Sequence, residues 1–476
     1  MNALALAAGV GGGLLHVTGA LVVLFFVALH TALAIQLIAA MPELWRHWDL
    51  EDEPALRLVL SSEALPTVSV VVTGVATASG TEAILHSLLA LRYPRHEVVL
   101  VHDGAATGGL AALIAAFDLY QVPPAVLVNV PTGVVRSYYR SRRHGKLFVI
   151  DKAYVDLADD LNAALNASRF PYILTVDAGS RLEPDALSRL MRPFLLGHRL
   201  AAVAGAVRVD RRNARSGWLG GVQEVEAIRD NAFARLGLNK LGGPLSTHGG
   251  VLLHRRDLLL EIDGYRGGTA DPEFDLVVRL RAHLRAQRLA DTIPLIPDAV
   301  AWTPAPVSAR SMGRQRTLAR RGELDVLRTR GGTIFSTRHG LARLLAPIHL
   351  AAVIVLAPVL ELAGYLILAA LLVTRGAGDP LVPLFLLAVP GFALLLSLWA
   401  IVLEAGVRPF DSRRDVLRVS AFAVAEQLGF RQWILWNLVR ATWSALRGGP
   451  SGNLDLPVAA TGTAGAIPEG RGVRAR

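Results

Sequence analysis

The chain has 476 residues, of which 52% are hydrophobic, with a formal net charge of +10 and no cysteine. Its mean hydropathy of +0.41 is too apolar for an ordinary soluble enzyme and predicts a membrane protein. The lack of cysteine excludes disulfides and thiolate metal sites. Basic runs at 136–146, 310–330 and 408–418 suit anionic lipid headgroups or a diphosphate. Nucleic acid is not expected as a partner, because basic segments flanking apolar spans already follow from the positive-inside rule.

The first membrane element predicted is an anchor at 14–42, after a short N-terminal segment at 1–13. The apolar run exceeds the ~20 residues that cross a bilayer. No basic residue precedes it and no cleavage site is evident after it, so we expect a retained anchor rather than a secretory signal. Residues 43–65 are expected to form a linker to the next domain.

Two further apolar spans are predicted at about 350–373 and 381–403, within a C-terminal membrane region at 331–447. Arginines lie on the far sides of this pair, which places the main domain in the cytoplasm of a multi-pass protein of the inner, or cytoplasmic, membrane. Glu361 lies inside the second span. It either has a functional role there or is a structural residue that is protonated or paired with a neighbouring helix. Residues 419–446 are typical of an interfacial amphipathic helix, and 448–476 of a disordered tail.

Strand-like and helix-like segments alternate between residues 66 and 330. Such alternation implies crossover connections, and we predict one α/β domain with a mostly parallel sheet. The strands are expected at 68–72, 97–102, 125–130, 172–176 and 201–207, and the helices at 81–91, 108–117, 156–167 and 184–194.

Two of the predicted strands end on an aspartate. Asp177 ends the strand at 172–176, and Asp103 follows the strand at 97–102 and precedes a glycine. In an open α/β sheet, ligands bind outside the carboxyl ends of the strands. The two carboxylates are therefore candidate ligand contacts, although an Asp-Gly pair also occurs in turns without a functional role.

Six further motifs occur in an order that resembles membrane-bound family 2 glycosyltransferases, such as cellulose, hyaluronan and poly-N-acetylglucosamine synthases. The resemblance covers about 66–447 and implies a GT-A (Rossmann-like) domain at 66–330. The motifs are DDLNAALN at 159–166, LEPDAL at 182–187, HRRD at 254–257, DGY at 263–265, DLVVRL at 275–280 and GRQR at 313–316.

The resemblance also implies a reaction and roles for particular residues. Such enzymes transfer a sugar from a UDP-sugar or other nucleotide-sugar, with Mg²⁺ or Mn²⁺, to a glycan or lipid acceptor in polysaccharide biosynthesis. Glu273 matches the catalytic base. Asp103 and Asp177 match nucleotide contacts, and Asp177 also matches a metal ligand. The acceptor or diphosphate contacts are expected among His248, Gln315 and Arg316.

The chain departs from the family pattern at five places. The second aspartate of the D-x-D motif is Gly179, and Glu273 stands where an aspartate is expected. The paired aspartates at the nucleotide corner are His102 and Asp103. The Gly-Gly-Lys motif is replaced at 155–157, and the Q-x-x-R-W motif becomes QRTLA at 315–319.

These departures leave two interpretations open. The protein is either an active glycosyltransferase, or a non-catalytic relative that acts as a scaffold or regulatory partner of an active synthase or other membrane complex. A transporter or channel is disfavoured, because it needs more than about three spans and several polar groups near the bilayer midplane.

Overall fold

The computed structural model describes most of the chain. Most of the predicted linker, residues 47–64, lies outside the described residues. The predicted tail at 448–476 and His248 also lie outside them. The described residues are 2–46, 65–73, 78–104, 109–123, 125–177, 179–196, 200–210, 217–242, 251–306, 308–335, 345–407, 410 and 412–446.

A single sheet forms the centre of the large domain. Ten strands are hydrogen-bonded in the order β3-β4-β5-β2-β1-β6-β9-β8-β10-β7. The strands are β1 Val68–Thr73, β2 His96–His102, β3 Leu119–Val122, β4 Val135–Ser141, β5 Leu147–Lys152, β6 Tyr172–Asp177, β7 Arg181–Leu182, β8 Ala202–Asp210, β9 Val251–Arg255 and β10 Leu295–Pro304.

The sheet is mixed, whereas the sequence predicts a mostly parallel one. The four central strands β5, β2, β1 and β6 are parallel, as are β8 and β10. The other pairings are antiparallel and flank this central unit. The expected α/β fold is confirmed. The parallel unit is the part that matters for the site, because it brings the carboxyl ends of four strands to one edge.

Nine helices or helical segments of the large domain connect and cover these strands within the described residues. Their apolar sides pack on both faces of the sheet, with Leu161 and Leu165 on one face and Leu85 and Leu187 on the other. The helices are α2 Ala78–Leu89, α3 Gly109–Phe117, α4 Leu157–Ala167, α5 Ala186–Leu195, α6 Gly217–Asp230 with its π-helical continuation Asn231–Leu238, α7 Arg256–Glu261, α8 Pro272–Ala286 and α9 Ala309–Ile334.

The strand predicted at 125–130 is wrong. Leu127 and Val128 are largely exposed, so this apolar run does not enter the core. Its backbone hydrogen bonds go to the amide of Asn166 instead of a neighbouring strand: the Oδ1 atom accepts from the N–H groups of Asn129 and Val130 at 2.9 and 3.0 Å. A β3–β4 hairpin, which the sequence analysis did not predict, occupies the edge of the sheet.

Three helical stretches are long and apolar enough to cross a membrane, judged by length and composition: Gly12–Leu44, Pro347–Arg375 and Leu381–Val407. This confirms the prediction of one such helix near the N-terminus and two near the C-terminus. They belong to α1 Asn2–Arg46, to α10 Leu345–Ala351 and α11 Ala357–Arg375 joined by a π-helical turn, and to α12 Leu381–Leu386 and α13 Phe392–Val407 joined by another.

The large domain packs directly on these candidate spans. At Gly237, in the π-helical segment that follows α6, an added Cβ atom would lie 2.4 Å from the backbone oxygen of Gln36 in α1. Arg208 of β8 also pairs with Glu404 at the end of the third candidate span, at 2.5 Å. Since Glu404 lies near Val407, this end of the span is the one nearer the domain.

The predicted amphipathic helix at 419–446 is two helices, α14 Arg413–Ala425 and α15 Arg431–Leu446. Between them the backbone leaves helical geometry at Leu428 and Gly429, and the φ of 91° at Gly429 is one that glycine adopts without strain. Arg431 at the start of α15 donates to Glu361 in α11 at 2.8 Å. Glu361 is thus helix-paired, one of the two states expected for it.

Candidate functional site

The carboxyl edge of the parallel strands places Asp103 and Asp177 on strands either side of β1. Asp177 ends β6 opposite Thr73 of β1, and Asp103 follows β2 directly. Asp177 is exposed, whereas Asp103 is buried. We describe this edge as two corners: the β2–β5 corner, which contains Asp103, and the β6–α8 corner, which contains Asp177.

In the β2–β5 corner, an arginine and a histidine bind the same carboxylate. Arg136 Nε and Nη2 donate to Asp151 at 2.8 and 2.6 Å, and His102 Nδ1 lies 3.3 Å from it. Although burial opposes ionisation, the hydrogen bonds from Arg136 and His102 hold the pKa of Asp151 below its usual value. Asp103 lies in the electrostatic field of Arg136.

A buried lysine satisfies two further carboxylates of the same corner. Lys152 Nζ lies 2.6 Å from Asp159 and 2.5 Å from Asp160, and it has no exposed surface. Burial raises the pKa of Asp160 to about 7, even though Lys152 opposes that shift. Lys152 is therefore held inside the protein rather than presented to a diphosphate. Lys146 precedes β5 and lies at the opposite edge of the sheet.

The two asparagines of the DDLNAALN motif in α4 have structural roles. Asn162 Oδ1 accepts from the N–H of Tyr265 and Nδ2 donates to its carbonyl, both at 2.8 Å. Asn166 makes the backbone contacts described above. Both side chains satisfy backbone groups of loops that have no strand partner there, and so hold these loops against α4.

The β6–α8 corner is built around Glu273, near the N-terminus of α8. Asp271 caps this helix by accepting from the N–H of Phe274 at 2.8 Å, and Pro272 occupies the first turn. Glu273 is half-buried and lies beside the side chain of Thr175 in β6, whose hydroxyl donates to the carbonyl of Leu252 at 3.4 Å. The site therefore joins the end of one strand to the start of one helix.

Burial raises the pKa of Glu273 to about 8. The neighbouring carboxylates Asp271 and Asp177 raise it further, while Thr175 and Arg235 oppose the shift. A carboxyl group with a pKa near neutrality is suited to accept a proton from a substrate hydroxyl. The structure thus brings together two of the predicted site residues, Glu273 and Asp177.

Helix α9 holds α8 in place beside this corner. A Cβ atom added at Gly322 would lie 2.6 Å from the Cβ of Asp271, so the two helices are in close contact. Further along α9, Arg330 donates to Asp275 at 2.7 Å, and Arg279 of α8 donates to the same carboxylate at 2.7 Å. These contacts fix the first turns of α8 and hence the position of Glu273.

The two site residues predicted on α9 are placed differently. Gln315 is exposed, and the guanidinium of Arg316 pairs with Glu226 of α6. Burial lowers the pKa of Arg316 to about 10. The charge of Arg316 is therefore directed at a protein carboxylate of α6.

Sequence reasoning missed Arg235, which lies one turn after Asn231 in the π-helical segment. It is 1% exposed, and its positive charge favours the ionised form of the nearby Glu273. Its Nη1 donates to Asn231 at 3.3 Å. A lone arginine within the apolar stretch 232–238 was the available signal, since arginine is almost never fully buried without a partner.

The residues of the β6–α8 corner do not fit a metal ion held by the protein alone. Gly179 contributes no ligand, and within the described part of the chain no group of three histidine or acidic side chains could hold one. Mg²⁺ is commonly held by one or two carboxylates together with substrate phosphates. Asp177 could supply only one such carboxylate.

Comparisons with known proteins confirm the resemblance predicted from the motifs. The chain is 24% identical over 281 residues to a poly-β-1,6-N-acetyl-D-glucosamine synthase of Staphylococcus epidermidis, covering 58% of this chain and 60% of that one. It is 25% identical over 248 residues to the synthase of the same name from Staphylococcus aureus strain COL, covering 52% of each. The chain thus spans about half to three fifths of the length of these relatives. No family model matches it.

The chain is also similar to solved structures of two sugar-transferring enzymes. One is the mannosyltransferase PcManGT of Pyrobaculum calidifontis in complex with GDP-Man and Mn²⁺, with 16% identity, a TM-score of 0.47 and coverage of 85% of this chain and 99% of that one. Another is glucosyl-3-phosphoglycerate synthase of Mycobacterium tuberculosis with Mn²⁺ and UDP-glucose, with 14% identity, a TM-score of 0.34 and coverage of 59% and 85%.

Proposed function

We propose that this protein is a membrane-embedded, inverting glycosyltransferase that transfers a sugar from a nucleotide-sugar to a glycan or lipid acceptor. The observation that carries the proposal is the β6–α8 corner, where Glu273 and Asp177 lie together at the carboxyl edge of the sheet and burial raises the pKa of Glu273 to about 8. The similarity to polysaccharide synthases and the three candidate spans support the same function.

In the proposed reaction, Glu273 takes the proton from the acceptor hydroxyl. The acceptor oxygen then attacks the anomeric carbon, and the bond from that carbon to the diphosphate oxygen breaks as the nucleoside diphosphate leaves. Thr175 orients the carboxylate of Glu273, and the charge of Arg235 favours its ionised state. Asp177 and Asp103 contact the donor. A divalent ion, when bound, would neutralise charge on the leaving diphosphate.

The proposed arrangement places residues 66–330 on the cytoplasmic side, with the three spans making the protein multi-pass in the inner membrane. Arg338 and Arg343 precede the second span, and Arg413 and Arg414 follow the third. An excess of arginine on the domain side of the spans is what the positive-inside rule associates with the cytoplasm.

A second candidate is a non-catalytic relative that acts as a scaffold or regulator of another membrane protein. The observation that favours it is that Lys152 and Arg316, two cations near the expected diphosphate position, are each paired with carboxylates of the protein itself. With Gly179 in place of a metal ligand, the donor site would then be lost.

Calorimetric titration of the detergent-purified protein distinguishes the two candidates. UDP, GDP and their sugar conjugates are titrated with and without Mg²⁺ or Mn²⁺ into the wild type, Asp177→Asn and the control Asp263→Asn, whose carboxylate is largely exposed. Micromolar binding that only Asp177→Asn weakens supports the transferase. Absence of binding to every nucleotide, with the protein folded, supports the non-catalytic relative.

A further inference from the structure

A cavity of about 280 Å³ lies between the large domain and the candidate membrane spans. Its wall includes Leu33 of the first span, Val353 of the second and Leu396 of the third, together with Phe233 and Ala234 from the π-helical segment of the domain. All three spans and the domain therefore contribute to one cavity. Its volume is close to the lower limit of ordinary ligand sites.

The wall of the cavity is mostly apolar. Leucine, valine, alanine and phenylalanine account for eight of the fourteen lining residues and for most of the lining surface. The polar remainder is His30, Gln36, Arg229, Asp230, His349 and Arg431. A sugar chain requires hydrogen-bonding partners along its length, and burying its hydroxyl groups without them is unfavourable. A hydrocarbon chain gains free energy from the same surroundings. The lining thus favours a lipid over a glycan as occupant.

The two arginines that line the cavity are both paired with carboxylates. Arg431 donates to Glu361 at 2.8 Å. Arg229 donates to Glu426 at 2.7 Å and to the hydroxyl of Ser397 at 3.3 Å. Since both guanidinium groups already have carboxylate partners, a phosphate headgroup would bring an uncompensated negative charge into a partly buried site. An uncharged headgroup fits better.

The depth of the cavity matches a lipid that enters from the bilayer. Leu396 and Ala393 lie 11 and 14 residues before Val407, the domain-side end of the third candidate span. At 1.5 Å per helical residue this is about 16–21 Å from that end, well within a hydrocarbon core about 30 Å thick. A lipid tail can therefore lie in the cavity while its head stays near the domain.

The helical segment of the domain that lines the cavity also carries Arg235. Asp230 lines the cavity, and Arg235, five residues further on, lies in the electrostatic field of both Asp230 and Glu273.

We propose that this cavity binds a neutral lipid of the diacylglycerol type. This binding does not depend on the proposed glycosyltransferase function.

Photo-crosslinking tests the binding. The full chain in phosphatidylcholine vesicles is irradiated with a diacylglycerol that carries a diazirine on one acyl chain, and the labelled peptides are mapped by mass spectrometry. We expect labelling within 30–36, 349–353 and 393–396. Ala393→Phe, which fills the cavity, should lower labelling about tenfold or more, because it displaces several methylene groups from apolar contact.

Leu395→Phe is the matched control, because Leu395 lies in the same helix with a largely exposed side chain. It should leave labelling unchanged. Ala234→Leu, which fills the cavity from the domain side, repeats the test if Ala393→Phe does not fold. Equal labelling in wild type and both filled variants, or labelling outside the three segments, would overturn the proposal.

Competition identifies the occupant. Unlabelled diacylglycerol should displace the probe, and phosphatidic acid, with the same tails and a charged head, should do so at least tenfold more weakly. Equal displacement by phosphatidic acid would overturn the neutral headgroup, and displacement by a soluble N-acetylglucosamine oligomer would overturn lipid as the occupant. Nucleotide titration of the same samples separates the two proposals, because failed labelling with intact nucleotide binding contradicts only the lipid site.

Discussion

The two corners of the carboxyl edge both contain several carboxylates, but they compensate the charges differently. In the β2–β5 corner, Lys152 binds Asp159 and Asp160, and Arg136 binds Asp151. In the β6–α8 corner, burial raises the pKa of Glu273, the carboxylates Asp271 and Asp177 add to this shift, and the buried Arg235 opposes it. Strands on either side of β1 thus end in a cluster of ion pairs and in a corner where one carboxyl group has a raised pKa.

This difference separates structural from reactive carboxylates. Asp151, whose hydrogen bonds to Arg136 and His102 hold its pKa below the usual value, is stabilised as an ion and has little tendency to exchange a proton. A carboxyl group that burial and like charges keep protonated near pH 7 is a candidate acid or base. The experiments below test whether each corner behaves in this way.

The largest effect is expected for Glu273→Gln. If Glu273 is the base, the amide cannot accept the acceptor proton, and kcat should fall about 10²–10⁴-fold with little change in KM for the nucleotide-sugar. The measurement is sugar transfer in vesicles. Glu82→Gln, at a half-exposed surface position of α2, is the control and should retain full activity. Unchanged transfer in Glu273→Gln would contradict the assignment.

Lys152→Met tests the β2–β5 corner. Removing the lysine leaves Asp159 and Asp160 without their buried cation, so the free energy of unfolding should fall by about 3–5 kcal/mol. Thermal unfolding in detergent measures the loss. Lys146→Met removes an exposed lysine and should change stability little. A stable Lys152→Met variant that loses nucleotide binding would show instead that Lys152 is a diphosphate contact.

The sequence predicted those parts of the fold that local patterns determine. Short β-branched runs that end on aspartate located β2 and β6, and Asp156, which caps α4 by accepting from the N–H of Asp159 at 2.7 Å, lay at the predicted start of that helix. The run at 125–130 misled the prediction, because its backbone partners are supplied by Asn166, 36 residues or more away. No local pattern contains that information.

The candidate site could be predicted only in part for the same reason. The spacing and the family resemblance suggested Asp177 and Glu273, which the structure places in one corner. The partners that set their charge states, Thr175 and Arg235, depend on the packing of β6, α8 and the π-helical segment. Likewise, the pairing of Arg316 with Glu226 depends on how α9 lies across α6. The assigned roles of these residues stay predictions.

A smaller effect is expected from pH. Because burial raises the pKa of Glu273 to about 8, the group is mostly protonated at neutral pH and becomes a competent base as pH rises through about 8. At two pH units below that value about 1% is ionised, so kcat/KM should be ~100-fold below its plateau. A profile that is flat between pH 6 and 9 would contradict Glu273 as the titrating base.

The same pKa shift has the opposite consequence for stability. The folded protein holds the proton of Glu273 more tightly than the unfolded chain, whose pKa is near the ordinary 4.5. The contribution to stability is therefore fully present below about pH 4.5 and is lost as pH rises through about 8. Relative to Glu273→Gln, which cannot ionise, the wild type should lose thermal stability over this range. A constant difference between the two would show that Glu273 does not titrate there.

The smallest effect is expected for Gly179→Asp, although this substitution changes the β6–α8 corner most directly. A Cβ atom at this position would lie 3.3 Å from Cγ and 3.4 Å from Cδ of Pro304, so Pro304 must shift by a few tenths of an ångström to admit it. The new carboxylate lies two residues after Asp177 and adds a second oxygen ligand for a divalent ion bound with the nucleotide. We expect Mn²⁺-dependent UDP affinity to increase about tenfold, which corresponds to ~1.4 kcal/mol. Gly179→Asn has nearly the same shape without the charge and should give a much smaller gain. If both variants bind UDP and Mn²⁺ as the wild type does, then the missing second aspartate is not what limits metal binding at this corner.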